Sequence, residues 1–338
     1  MNYLLKDRRI LVTGGAGFIG SEVVRQLAAA EAQVVVIDNL VNGKRENLAG
    51  LPEEQVSLAV ADIRDQAGVE NFVKGVDLVL HLACLGVRHS IHSPAENHEV
   101  NASATLGLLQ AARAADVPRF VYVSTSEVYG SARTVPMSEE HPTLPHTVYG
   151  GSKLAGEAYT RAFHDTYGYP TVVVRPFNAY GPRAHHEGDS GEVIPKFLLR
   201  SMAGREMVIF GDGAQTRDFS YVSDTARGIL LAGAADSAVG QTINLGHGGE
   251  ISIQHLAESV SALVGAGRSQ IVHHEPRPGD VQRLFADTRK AGELLDYEAE
   301  ITLEHGLRLL KEWYEGQPMS PEELLEAEIL YNWESVST

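Results

Sequence analysis

Arg9-Ile10-Leu11-Val12-Thr13-Gly14-Gly15-Ala16-Gly17-Phe18-Ile19-Gly20 runs a short apolar segment straight into a cluster of glycines. An apolar run of this length, stopped by glycines, reads as a buried strand and its turn. From about Gly20 to Ala30 apolar residues recur at helical spacing, so the turn opens a helix. Gly15, Gly17 and Gly20 fit G-x-G-x-x-G, while Gly14, Gly17 and Gly20 fit G-x-x-G-x-x-G. Glycine at these positions permits a tight turn, close approach of backbone to a pyrophosphate, and helix–strand packing. The helix start then presents N–H donors and a partial positive charge to the phosphates. The backbone of Gly14, Gly17, Phe18, Ile19 and Gly20 is therefore expected to hold a dinucleotide. A bare glycine pattern also suits an ordinary βα turn, but here the strand before it and the helix after it supply the right context.

Working outward, Gln33-Val34-Val35-Val36-Ile37-Asp38 is a second buried strand that ends on a carboxylate. A carboxylate there accepts hydrogen bonds from ribose hydroxyls and repels a 2′-phosphate, which points to NAD and away from NADP. Asn39, Asp62-Ile63 at the end of a third strand, and Ala83 complete the expected cofactor contacts. Further β-like runs fall at 56–61, 76–83, 119–124 and 171–175, separated by helix-like stretches, notably 96–115 and 152–167. This alternation predicts an α/β fold with a Rossmann-type doubly wound parallel sheet. After Pro176 the pattern loosens: 181–191 reads as a substrate-facing loop, 242–245 as one more strand, and 251–264 and 303–315 as helices. Ser320-Pro321-Glu322-Glu323 is a plausible start for a last helix in the tail 320–331. The expected division is a NAD-binding domain at 1–177, to which 221–246 returns, and a smaller interleaved α/β substrate domain at 178–220 and 247–338.

The chain has 338 residues, 43% apolar, enough for one large domain and a companion. Its single cysteine, Cys84, excludes an internal disulfide and a cysteine metal cluster. No apolar run approaches the roughly 20 residues that span a bilayer, and the start of the chain does not resemble a signal peptide. A cytoplasmic protein with no membrane partner is the expectation. The net charge of −16 disfavours nucleic acid and anionic lipid as partners.

Tyr149-Gly150-Gly151-Ser152-Lys153 sets a phenol and an ammonium at i and i+4, on one face of a helix. A tyrosine, with a usual pKa near 10, becomes a useful base only if nearby positive charge favours the phenolate. The pair gains meaning from Ser124-Thr125-Ser126-Glu127-Val128-Tyr129-Gly130, which begins at a strand end, where ligands of such sheets bind.

On these residues the chain resembles the extended short-chain dehydrogenases/reductases, specifically the NAD-dependent nucleotide-sugar epimerase/dehydratase family. The landmarks continue with His81-Leu82-Ala83, Arg175 to Arg183, Gln215 to Phe219 and Pro276-Arg277-Pro278-Gly279-Asp280, over nearly the whole chain. The resemblance implies a nucleotide-diphosphate sugar as substrate, oxidised at C4 by bound NAD while Tyr149 takes the O4 proton. Lys153 would hold the nicotinamide ribose and tune Tyr149, and Thr125 would hydrogen-bond O4. Asn178 would contact the diphosphate or the sugar. Arg217 and Arg277 would supply cations for the diphosphate, offsetting the acidic surface, with Arg183 and Arg283 weaker candidates. A homodimer through the helices around 97–115 and 152–167 is a further family expectation, and the family needs no metal.

Glu127 bears on which reaction follows. It resembles the base of nucleotide-sugar 4,6-dehydratases, which removes the C5 proton so that the C6 hydroxyl leaves as water. Simple C4-epimerases more often carry a small or uncharged residue there, and UDP-glucuronate decarboxylases also have a Thr-Ser-Glu run. Many dTDP-glucose dehydratases have Asp-Glu where this chain has Ser126-Glu127, so Glu127 would serve as both base and acid, with Ser126 beside the sugar. A 4,6-dehydratase is the first expectation, a C4-epimerase the second and a decarboxylase the third; a non-enzymatic NAD-sensing scaffold would be expected to lose Tyr149 or Lys153. The segment Cys84-Leu85-Gly86-Val87-Arg88-His89-Ser90 departs from the Ala-rich loop common in the family. Arg88 and His89 there are candidates to recognise a substrate substituent, and Cys84 is expected to pack against the strand end.

Overall fold

In the computed structural model, residues 5–188, 190–277, 281–331 and 333 are described. The apolar runs become β1 (Arg9–Thr13), β2 (Gln33–Asp38), β3 (Val56–Val60), β4 (Leu78–His81), β5 (Phe120–Val123) and β6 (Thr171–Pro176). Four short strands follow outside this sheet: β7 (Asn178–Tyr180), β8 (Met207–Phe210), β9 (Thr216–Arg217) and β10 (Phe219–Tyr221). The chain then returns to the sheet with β11 (Thr242–Leu245), which lies parallel to β6. The strand order is β11-β6-β5-β4-β1-β2-β3, and every pairing is parallel. Strands buried on both faces need apolar residues at consecutive positions, which is why β5 and β6 read as unbroken runs.

Helices Phe18–Ala29, Val222–Ala234 and Arg289–Leu295 cover one face through Val23, Leu27, Ile229, Leu230 and Leu295. Helices Gln66–Phe72, Ala104–Ala114 and Val148–Tyr167 cover the other, through Val69, Leu108 and Phe163. The strand order reverses between β1 and β4, so a crevice opens at their carboxyl ends, where doubly wound sheets bind ligands.

A second core joins helices Val193–Met202, Ile253–Val264 and Leu303–Glu315 to β8 and β10. Its small sheets pair β10 with β7, β12 (Ile251–Ser252) with β9, and β13 (Ile271–His274) with β8. The stretch 251–264, read as wholly helical, thus starts as a strand. Ser252 then caps the helix by accepting the His255 N–H.

Two further elements differ from the periodicity reading. The span 96–115 is not one regular helix: Pro94–His98 leads into a π-helical turn at Glu99–Ser103 before Ala104–Ala114. The inserted turn lets both Asn97 and Asn101 reach the loop after β4, where each donates to the Leu85 carbonyl at 2.9 Å. Asn101 also accepts the Leu85 N–H at 2.8 Å. In the tail, Ser320 does form a capping box with Glu323, but the helix stops at Leu324 and the chain continues through a turn at 325–327 to an isolated bridge at Glu328.

Candidate active site

A cavity of about 900 Å³ opens at the carboxyl ends of the sheet strands and is walled on its far side by the second core. It collects residues from both halves of the chain.

At the β1 end, Gly14 has φ +71°, and a Cβ there would stand 2.7 Å from the Ala83 amide nitrogen. Only glycine lets β1 and β4 close this tightly around the turn. At Gly20 a Cβ would meet the Gly14 carbonyl oxygen at 2.1 Å, so helix and turn share one backbone contact. Gly17 is the N-cap of helix Phe18–Ala29 and provides no side-chain cap, leaving the first-turn N–H groups of Phe18 and Ile19 at the cavity wall. Asp38 stands opposite, its two oxygens accepting the N–H groups of Ala16 (3.0 Å) and Leu40 (2.9 Å), which aim the carboxylate into the cavity. Asn39, Asp62, Ile63 and Ala83 line the same end. Arg64 binds the Asp62 carboxylate and Asn39 donates to it at 3.1 Å, so the Asp62 pKa falls to about 2 and the group stays charged. An uncapped helix start, a glycine wall and a fixed carboxylate together suit a dinucleotide pyrophosphate and its ribose.

The catalytic candidates come from β5 and the helix beside it. Thr147 caps helix Val148–Tyr167 by accepting the Gly150 N–H at 3.0 Å, which starts the helix one residue before Tyr149. Gly156 lets the helix lie against the sheet, since a Cβ there would strike the Tyr122 hydroxyl at 2.3 Å. Thr125 follows β5 and accepts the Glu127 N–H at 3.2 Å. Tyr149, Lys153, Thr125 and Glu127 all line the cavity.

Their electrostatics differ from the sequence expectation in one respect. The Lys153 ammonium is drawn under the sheet end, donating to the Val123 carbonyl at 2.7 Å and lying 4.4 Å from the centre of the Tyr122 ring. Burial lowers its pKa, opposed by Cys84 and Glu157. Burial and then the neighbouring Cys84 push the Tyr149 phenol well above its usual value, with Glu127 adding to the rise and a Thr125 hydrogen bond opposing it. The chain's own residues therefore keep Tyr149 protonated, and a phenolate needs a further positive charge beside it.

Asn178, Arg88, Arg217 and Arg277 line the substrate end. The Asn178 amide oxygen is buried without a hydrogen-bond partner, an acceptor placed for a ligand donor. Arg217 donates to the carbonyls of Thr216 (2.8 Å) and Val281 (2.6 Å), which orient its guanidinium. Three candidates are not brought to the cavity. Arg183 bonds Ser21 (2.9 Å) and Glu22 (2.6 Å) on the glycine-loop helix. Arg283 is held by both oxygens of Glu250 at 2.7 Å. Ser126 is buried outside the cavity wall. His89 does line the cavity, with its ring against Glu96 at 3.1 Å. Of the Pro276–Asp280 landmark, Pro278, Gly279 and Asp280 lie outside the described residues. Among the described residues no three His, Cys, Asp or Glu gather as a metal site, and no helix is long and apolar enough to cross a membrane.

Sequence reasoning missed Glu192, Lys196 and Arg200, which line the cavity from the N-cap to the last turn of helix Val193–Met202. Burial pushes the Glu192 carboxyl up to about 8. Burial, with Arg277, Arg88 and Arg200 adding to it against Glu328, brings Lys196 down to about 8. The available signal was position: this helix start directly follows the loop read as substrate-facing.

Residues 11–310 match the family model described as GDP-mannose 4,6 dehydratase. The chain is 37% identical over 318 residues to a dTDP-glucose 4,6-dehydratase of Streptomyces niveus, covering 90% of this chain and 92% of that one. A UDP-glucose 4-epimerase of Mycolicibacterium smegmatis is 35% identical over 314 residues, covering 91% and 99%. Among solved structures, DesIV of Streptomyces venezuelae, a dTDP-glucose 4,6-dehydratase with NAD bound, superposes with a TM-score of 0.85 at 34% identity, covering 91% of this chain and 97% of that one.

Proposed function

The chain belongs to the NAD-dependent nucleotide-sugar epimerase/dehydratase family of extended short-chain dehydrogenases/reductases, and from that premise we propose that it is a 4,6-dehydratase of a nucleotide hexose. The observation that carries this choice of reaction is Glu127, whose carboxylate shares the cavity wall with Tyr149 and Thr125 and acts on the phenol's charge.

Bound NAD, held by the glycine turn, Asp38 and Lys153, would supply a hydride acceptor and a positive charge. With such a charge offsetting the burial that keeps it protonated, Tyr149 would take the O4 proton while Thr125 hydrogen-bonds O4. The resulting C4 ketone acidifies the C5 hydrogen. Glu127 removes this proton and hands it to the departing C6 hydroxyl, which leaves as water. The hydride ends on C6, and C5 receives the proton equivalent given up by O4, directly or after exchange with solvent. Asn178, Arg88, Arg217 and Arg277 hold the nucleotide-diphosphate sugar, and Lys153 fixes the nicotinamide ribose beside Tyr149. Asp38 and the glycine turn carry the dinucleotide.

One observation favours a second reading, a C4-epimerase. Ser126 is buried away from the cavity, so dehydration asks Glu127 to act as both base and acid, whereas C4 inversion asks for neither. Turnover of a panel of nucleotide hexoses in D2O, read by NMR, separates the two. A 6-deoxy-4-keto product with deuterium at C5 is expected; a C4-inverted sugar without that label would establish the epimerase, and a pentose the decarboxylase. We place the enzyme in the cytoplasm as a homodimer, joined across the helices of 94–114 and 148–167, where Ile91, Val148 and Tyr167 are exposed nearby. Light scattering should then give twice the chain's mass.

A further inference from the structure

The family model ends at residue 310, yet part of the cavity wall comes from beyond it. After helix Pro321–Leu324 the chain lies as a strap against Gly188, helix Val193–Met202 and the end of β13. Gly188 N–H donates to the Ala327 carbonyl at 2.7 Å, and the Lys196 ammonium to the Ile329 carbonyl at 2.7 Å. Glu328 pairs with Arg200 at 3.3 Å, and the Tyr331 hydroxyl meets His274 Nδ1 at 2.8 Å. Each of these fastenings ties the strap to the cavity's surroundings. Glu328, Leu330 and Trp333 then face the cavity itself.

Trp333 packs edge-on against Phe210, with ring centroids 4.6 Å apart and planes at 89°. The Arg277 guanidinium lies 5.0 Å from the centre of the Trp333 ring and 5.9 Å from that of Phe210. Two aromatic rings from segments far apart in sequence thus set one cation at the substrate end, an arrangement favourable for a guanidinium. The cavity keeps its volume of about 900 Å³ with the strap in place, so the strap forms wall and does not fill the space.

We propose that the C-terminal strap is a working part of the nucleotide-sugar site, in which Trp333 positions Arg277 for the diphosphate and closes the cavity beside Phe210. This rests on the nucleotide-sugar reading above. It makes Trp333 a positioning residue supplied by a segment outside the family match, and it predicts that affinity for the nucleotide part depends on the tail while the chemistry at C4 does not.

The test compares wild type, Trp333→Ala, Trp333→Phe and a chain ending at Glu326, all loaded with NAD. UDP, dTDP and GDP are titrated by calorimetry, and steady-state turnover is measured with the accepted nucleotide sugar. Trp333→Ala should raise Kd for the preferred nucleoside diphosphate, and KM, by ~10-fold, the scale of losing one well-placed contact, with kcat within about two-fold. Trp333→Phe should recover most of the loss, and the truncated chain should show at least the alanine effect. Unchanged or tighter binding by Trp333→Ala overturns the proposal. So does a fall in kcat with loss of bound NAD that phenylalanine does not rescue, because the strap would then only support folding. If wild type binds none of the three nucleotides, the substrate reading itself fails, and the strap proposal with it.

Discussion

Tyr149 is held protonated by burial and by Cys84 and Glu127, against a single favourable hydrogen bond from Thr125. In the proposed reaction its activity would therefore depend on charge that arrives with the cofactor, and removing the hydroxyl should remove proton transfer without disturbing binding. Tyr149→Phe is expected to lower kcat by about 10²–10⁴ while bound NAD and nucleotide affinity stay near wild type, measured by turnover and calorimetry. Glu127→Gln separates two steps: hydride should still leave C4, seen as a rise in reduced-nicotinamide absorbance, but deuterium from D2O should no longer enter C5. A third outcome concerns the wall opposite. Glu192 is neutral below about 8 and Lys196 is charged below about 8, so raising pH through that value makes the wall more negative twice over. Nucleoside diphosphate binding should weaken from pH 7 to pH 9, and Glu192→Gln should make that loss shallower. Tyr149, Lys153, Thr125 and Asp38 were legible because each sits at a fixed offset from a strand end or glycine turn. Glu192 and Lys196 were not, because one acid and one lysine at a helix start look like any solvated turn until the fold buries them.

Helix Val148–Tyr167 carries Tyr149 and Lys153, and a buried ion pair fixes it to the sheet. Glu157, on the same helix, accepts from Arg175 of β6 at 2.9 and 2.7 Å and from Ser124 after β5 at 2.5 Å. Burial pushes the Glu157 pKa up, but Arg175, Ser124 and Arg161 outweigh it and the net shift is downward. With the folded pKa below the unfolded one, this pair's stabilisation is present above the usual carboxylate range and is lost as pH falls through the folded pKa. Arg175→Ala should cost about 3–5 kcal/mol in urea unfolding, because it strands a buried carboxylate. Gly14→Ala should cost about 1–3 kcal/mol and empty the NAD site, since the new Cβ meets backbone at φ +71°. At this scale, among the described residues, the seven strands of the main sheet were readable from apolar runs, and the helices Phe18–Ala29, Val148–Tyr167, Ile253–Val264 and Leu303–Glu315 from their period. The six short strands outside that sheet and the helices Val193–Met202 and Val222–Ala234 were not. The π turn at Glu99–Ser103 was not, since it is set by Asn97 and Asn101 reaching the Leu85 backbone, a contact distant in sequence. The tail helix was over-read for a related reason: its capping box is real, but the strap's partners, Gly188, Lys196 and Arg200, lie more than 100 residues upstream.

Across the whole molecule, a net charge of −16 coexists with a substrate class that is itself anionic. The fold resolves this by gathering Arg88, Lys196, Arg200, Arg217 and Arg277 at one end of the cavity, while the helix start at Gly17 serves the other. The glycine turn and Tyr149 belong to the parallel-sheet half and Lys196, Arg200, Arg217 and Arg277 to the second core, across a crevice that opens where the strand order reverses. In the proposed reaction sugar and nicotinamide would meet there over Tyr149. The central claim is that hydride leaves sugar C4 and comes back to the same sugar within one binding event. A nucleotide hexose carrying deuterium at C4 tests it directly, with product examined by NMR and mass spectrometry in the presence of excess free NAD. Deuterium retained in the product, at C6 after dehydration or still at C4 after inversion, is the expected result. Deuterium found in the free dinucleotide pool, with net reduced cofactor accumulating, would contradict it.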